Sequence, residues 1–157
     1  MSLNELHEPL QSAYRQHHST ETALLKVYND MLEAVDNKSC VMLVLLDLSA
    51  AFDTVDHTLL LHRLESTFGV TGMALEWFKS YFCSRYQSVH VSGTTSKPHL
   101  LTFGMPQGSV FGPTGFPSYS SPIGTICRNH GVNYHLYADD TQIYLSFSGH
   151  ILPKMQL

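Results

Sequence analysis

Apolar residues at Leu24, Val27, Met31 and Val35 keep the three- and four-residue spacing of one helix face. Ser19-Thr20-Glu21 lies just ahead and offers an N-cap with an early acid, so the pattern predicts an amphipathic helix to about Asp36, closed by Asn37. Residues 1 to 18 mix polar, His and Pro residues with no period. The segment Cys40-Val-Met-Leu-Val-Leu-Leu46 is an unbroken apolar run of strand length, rich enough to be buried on both faces, and it stops at Asp47. It predicts a central strand that delivers a carboxylate at its end. Helical spacing resumes after Asp56, read as an N-cap, through Leu60, Leu64 and Phe68, with Gly69 as a C-cap residue. A second short helix is expected from Met73 to Phe82, around Trp77 and Phe78.

Alternation then takes over. Gln87 to Val91, a Ser92-Gly93 turn signal and His99 to Phe103 predict a hairpin, and the turn-rich Gly104-Met-Pro-Gln-Gly108 follows. Val132 to Tyr137 and Thr141 to Phe147 predict two more strands, with Ala138, Asp139 and Asp140 between them. Helices interleaved with hairpins imply an α+β fold, with helices on one face of an antiparallel sheet.

At 157 residues the chain has the size of one domain, and 43% apolar content is enough for a core. Charged residues are scarce, at 14% against roughly 25% in a typical soluble domain. Nine basic against thirteen acidic residues give a net charge of −4, so no global basic field draws a polyanion and nucleic-acid binding must be argued locally. Cys40, Cys83 and Cys127, about 43 residues apart, fit neither a disulfide framework nor paired zinc ligands, and the ten histidines show no metal-ligand spacing on one element. The longest apolar run falls far short of the roughly 20 residues that span a bilayer, and no charged-then-apolar leader opens the chain. A soluble, intracellular protein with no membrane contact is expected.

Asp47, Asp139 and Asp140 carry the candidate chemistry. Taken singly, each has an ordinary explanation, since Asp caps helices and Asp-Asp suits tight turns. Their combination matters more. If the two strands are neighbours the three carboxylates converge, and a pair about 4 Å apart repels by roughly 4 kcal/mol at an effective dielectric near 20. Such a cluster survives by protonation or by binding cations, and hard oxygen ligands without Cys or His suit Mg²⁺ or Mn²⁺. Two such ions are the device for in-line phosphoryl displacement.

Three ordered motifs, Asp47-Leu-Ser-Ala-Ala-Phe-Asp53, Met105-Pro-Gln-Gly108 and Tyr137-Ala-Asp-Asp140, resemble the palm of a reverse transcriptase. Gln11-Ser-Ala-Tyr-Arg15, His18-Ser-Thr-Glu-Thr22 and Leu46 to His57 look like the LINE-type, non-LTR retrotransposon enzymes in particular. The resemblance runs over about residues 10 to 147. It implies a right-hand polymerase palm with part of the fingers, an antiparallel sheet packed on helices: residues 1–38 as partial fingers, 39–148 as palm core and 149–157 as an unmatched tail. It implies RNA-directed DNA synthesis, with an RNA template, a DNA primer and deoxynucleoside triphosphates as partners and two divalent cations, Mg²⁺ or Mn²⁺, as cofactors. By the same resemblance Asp47, Asp139 and Asp140 are the catalytic metal ligands. One ion would activate the primer hydroxyl and the other would neutralise the triphosphate. Phe52 falls at the gate that excludes a 2′-hydroxyl, Gln107 and Gly108 in the loop near the templating base and nucleotide, and Arg15 in a segment associated with template or triphosphate contact. Nuclear activity is likewise implied by resemblance alone.

The chain departs from the family pattern in several places. After Pro-Gln-Gly-Ser the family continues into an apolar helix, whereas this chain has Gly115 and Pro117, worth about 1 and 3 kcal/mol against a helix. A broken or displaced helix is expected there. His17-His18 stands where a Pro-Gly-like pair is common. Measured against the family, the chain starts late and stops early, which implies a truncated copy with impaired synthesis. Two alternatives stay open: an inert remnant that keeps a nucleic-acid-binding fold, and another two-metal polymerase or phosphotransferase.

Overall fold

The computed structural model describes residues 8–148; the expected tail, 149–157, lies outside them, as do residues 1–7. The elements in chain order are α1 (Thr20–Asp36), β1 (Ser39–Leu46), a 3-10 turn (Ala51–Thr54), α2 (His57–Ser66), α3 (Gly72–Phe82), β2 (Arg85–Gln87), β3 (His90–Val91), β4 (Thr94–Thr95), β5 (His99–Leu101), α4 (Gly112–Ser120), α5 (Pro122–Asn129), β6 (Asn133–Tyr137) and β7 (Asp140–Ser148). The α+β class is as expected. The chain divides into two compact units, one formed by the segments up to Ser49 and from Ser120, the other by Ala50–Tyr119.

The first unit holds an antiparallel sheet in the order β1-β7-β6. Residues 10 to 12 run along the outer edge of β6, where Leu136 N–H donates to Leu10 O and Ser12 N–H donates to Leu136 O, both at 2.9 Å. Strand alternation sorts the two faces. Leu43, Leu45, Gln142 and Tyr144 share the face that meets α1, where the Tyr144 hydroxyl donates to Asp30. Tyr134, Leu136 and Ile143 face the other way and pack with Cys127 and Ile123 of α5. Helices therefore cover both faces of the sheet, not one.

Helix α1 begins and ends where the sequence placed it. Ser19 caps it, its Oγ accepting from Thr22 N–H at 3.2 Å while Thr22 Oγ1 accepts from Ser19 N–H at 2.8 Å. Its buried residues are Ala23 and Val27, whereas the expected core residues Leu24 and Val35 are exposed. Strand β1 departs further from expectation. In the described sheet it is an edge strand, and Met42, Leu43, Val44, Leu45 and Leu46 are all exposed, so β7 takes the central place. An apolar run records what a strand could bury; which neighbours exist to bury it is decided elsewhere in the chain.

The second unit packs α2, α3 and α4 around Val55, Leu60, Leu64, Phe82, Met105 and Phe116. Asp56 caps α2, accepting from Leu59 N–H at 2.9 Å. The expected single hairpin is split into two short ladders, β2 with β5 and β3 with β4. Between them Ser96 takes over the ladder, its N–H donating to Val89 O and its hydroxyl accepting from Val89 N–H. Helix α4 forms across both residues expected to break it. A Cβ at Gly115 would stand 2.5 Å from a Phe111 ring atom and 2.9 Å from Met105 Sδ, so the glycine admits the ring to the core. That burial outweighs the poor helix propensity of Gly115 and Pro117. The interruption comes later, at Ser121, and α5 restarts with Pro122 in its first turn, where the missing N–H costs nothing.

Candidate active site

Antiparallel pairing of β1 with β7 sets the position of Asp47. The ladder ends at Leu46 opposite Thr141, so the next residue of β1, Asp47, emerges beside Asp140. The β6–β7 connection is tighter than expected: Tyr137 pairs with Asp140, leaving Ala138 and Asp139 as the two turn residues. Ala138 takes a left-handed conformation, φ 54°. Asp47, Asp139 and Asp140 thus stand at one end of one sheet, Asp139 half-buried and the other two exposed. They are not drawn into a ready cluster. Among the described residues no group of three His, Cys, Asp or Glu side chains is placed to hold a metal ion. The donor set itself, carboxylate oxygens at the ends of adjacent strands, suits a hard divalent cation.

The same unit carries a buried polar network that sequence reasoning missed. Glu8 is buried and paired. Arg128 Nη1 donates to its Oε1 at 2.7 Å, and the Tyr134 hydroxyl donates to the same oxygen. Burial, reinforced by the Glu8 carboxylate, pushes the Tyr134 phenol above its ordinary range. Ser12 Oγ lies 2.9 Å from both His18 Nδ1 and His135 Nε2. Burial, with the positive charge of Lys26, pushes the His135 imidazole below its ordinary value. Gln11, 2% exposed, accepts on Oε1 from Ala13 N–H and Ala138 N–H, both at 3.0 Å, and donates from Nε2 to Ala138 O at 3.3 Å. Gln11 opens the Gln11-Ser-Ala-Tyr-Arg15 segment, but nothing there points to Ala138, a partner 127 residues away. Arg15, expected to meet template or triphosphate, turns its Nη1 onto backbone carbonyls, Pro9 O at 3.0 Å and Gln11 O at 3.1 Å.

The other candidates belong to the second unit. The Phe52 ring is half-buried and stacks on Phe116 with centroids 5.1 Å apart, and Phe52 O accepts from Met105 N–H at 2.7 Å. Gln107 is exposed and lines an open cavity of about 500 Å³ with Asp53, His57, Arg85, Gln87 and Phe103. The imidazole Nε2 of His57 is 2.7 Å from Gly104 O, which ties the start of the Pro-Gln-Gly segment to α2. Gly108 follows with φ 78°, a value that favours glycine. On the far side of Gly108 lies an aromatic surface in which an exposed Trp77 stacks on Tyr81 at 5.4 Å.

The family profile described as "Reverse transcriptase (RNA-dependent DNA polymerase)" matches residues 1–154. The chain belongs to the reverse transcriptase family. Within it, the chain is 33% identical over 138 residues to the "RNA-directed DNA polymerase from mobile element jockey" of Drosophila melanogaster, covering 85% of this chain and 15% of that relative. To the "Probable RNA-directed DNA polymerase from transposon BS" of the same species it is 30% identical over 146 residues, covering 87% and 15%. This reverse transcriptase chain is a partial domain of the LINE, non-LTR type, spanning about 15% of the length of these curated relatives. It is also similar to a chain of the "Partial Cas6-RT-Cas1--Cas2 complex", at 23% identity and a TM-score of 0.37, over 83% of this chain and 21% of that one. Among the described residues no helix is long and apolar enough to cross a membrane.

Proposed function

We propose that this reverse transcriptase segment contributes the metal-binding end of a polymerase palm, with residues 39–148 as palm core and 1–38 as part of the fingers. In this reading it adds deoxynucleotides to a primer on an RNA template. The observation that carries the reading is the β1–β7 register, which sets Asp47 beside the Asp139–Asp140 turn. Asp47 and Asp139 would hold two Mg²⁺ or Mn²⁺ ions, with Asp140 completing the set. Bound there, divalent cations supply charge neutralisation for the triphosphate and a lowered pKa for the primer hydroxyl. The residues of the chain do the positioning. Phe52 acts as the gate against a 2′-hydroxyl, its ring fixed by the stack on Phe116. Gln107 and Gly108 approach the templating base and nucleotide, a role supported by the polar cavity beside them. Arg15 serves the site through the backbone it holds rather than by direct contact with template or triphosphate.

Divalent cations are expected to raise the melting midpoint, because a ligand at 100 times its dissociation constant adds about 2.7 kcal/mol. Melting curves in EDTA, Mg²⁺ and Mn²⁺, beside an Asp47→Ala/Asp139→Ala double variant, test the site. An equal shift in the double variant, or none in the parent, removes it. Primer extension on an RNA template then tests the reaction. Under the second reading, a fold that binds without catalysing, cations stabilise the chain while no primer is extended.

A further inference from the structure

Three features of the first unit meet at Ala138. It immediately precedes Asp139, it holds φ 54° without being glycine, and both its N–H and its C=O are bonded to one side chain, that of Gln11. A left-handed alanine is strained and persists where its surroundings over-determine it. Here the surroundings are a single amide, 2% exposed and itself fixed by Ala13 N–H. Ala13 is 3% exposed and carries no polar side chain, so its backbone is the natural anchor for the clamp. The segment that presents Gln11 is held in turn. Leu10 and Ser12 pair with β6, Glu8 is locked by Arg128 and Tyr134, and Arg15 Nη1 closes onto the Gln11 and Pro9 carbonyls.

We infer that Gln11 is a positioning residue for Asp139 and Asp140: its amide fixes the two-residue turn from which both carboxylates project. This rests on the metal-binding reading of those aspartates. Hydrogen-bonded partners that orient ligands typically change metal affinity by 10- to 100-fold when removed. The Tyr137–Asp140 pair closes the ladder on either side of the turn, and within it the N–H and C=O of Ala138 are held by Gln11. Gln11 thus acts on the site through backbone, without touching an ion or a substrate.

The test compares the full chain with Gln11→Met, which keeps most of the volume and removes the hydrogen bonds, and with Ser12→Ala, which disturbs the same segment at His18 and His135 but not at Ala138. Mn²⁺ affinity is read by electron paramagnetic resonance, and amide hydrogen exchange at Ala138, Asp139 and Asp140 by NMR. Gln11→Met is expected to weaken Mn²⁺ binding 10-fold or more and to speed exchange at the turn, with exchange in β1 and α5 unchanged. Ser12→Ala is expected to keep the parent affinity. Parent-like Mn²⁺ affinity in Gln11→Met overturns the inference and leaves the metal site standing, as does equal weakening in Ser12→Ala, which would mark a general loss of stability. If Gln11→Met does not fold, the volume- and acceptor-preserving Gln11→Glu takes its place, and faster turn exchange in it with unchanged affinity is the overturning result. A parent chain that binds no Mn²⁺ overturns both readings together.

Discussion

His135 sits in the middle of β6 with its Nε2 on Ser12, and its buried Nδ1 has no hydrogen-bond partner among the described residues. Around it stand His18, Lys26, Asp30 and Gln142. Since burial depresses its pKa in the folded state, the unfolded chain takes up the proton first as pH falls. The contribution of His135 is therefore fully present above the ordinary histidine value of 6.5 and declines as pH falls below it toward the depressed one. The urea midpoint measured from pH 8 to pH 5 should fall for the parent chain and stay flatter for His135→Gln. Asp30 adds its own dependence at lower pH. Burial pushes its carboxyl up, but hydrogen bonds from Lys26 and Tyr144 more than offset this and hold it below 3.8. That contribution is present above 3.8 and is lost below it, outside the histidine window.

At the scale of elements, the caps decide where helices start. Ser19 and Asp56 each satisfy a backbone N–H of the first turn that no carbonyl of the helix can reach. Ser19→Ala and Asp56→Ala are each expected to cost about 1 kcal/mol, read from the urea midpoint at constant slope. Ser19 should be the more sensitive, because Thr22 returns a bond to the Ser19 N–H and the pair acts together. Loss below about 0.3 kcal/mol at both positions would mean that packing, not capping, sets these termini. Helix α4 has its own start in Ser109, whose Oγ accepts from Gly112 N–H at 3.0 Å. The Phe111 ring over Gly115 and the stack of Phe52 on Phe116 then hold a helix that propensity alone disfavours.

For the whole molecule, the outer edge of β1 has no strand partner among the described residues. Its eight residues, Ser39–Leu46, contain no charge and no proline, and Met42 to Leu46 are exposed, 68% for Leu45. Long apolar edges without such guards pair with other chains. The isolated chain is expected to associate with rising concentration, and Leu45→Lys to restore the monomer with little change in melting midpoint, since the exposed Leu45 loses little on replacement. Sedimentation velocity across a concentration series decides it. A parent chain that stays monomeric at high concentration would show that β1 is guarded in a way its exposure does not suggest.

The sequence determined the local elements of this reverse transcriptase segment, because their causes are local. The Ser19 and Asp56 caps, the 3.6-residue spacing of α1 and α2, the strand-length run ending at Asp47 and the two strands around Asp139 are each written within a few neighbouring residues. The three motifs were legible for the same reason. Tertiary structure decided what depends on partners distant in the chain. It made β1 an edge and β7 the centre of the described sheet, put helices on both its faces, packed Phe111 against Gly115 where a break was expected, and turned Arg15 onto the carbonyls of Pro9 and Gln11. It also gave Gln11 its place. The Gln11-Ser-Ala-Tyr-Arg15 text does not reveal what the Gln11 amide bonds, and that role exists only where folding brings it within hydrogen-bond reach of Ala138.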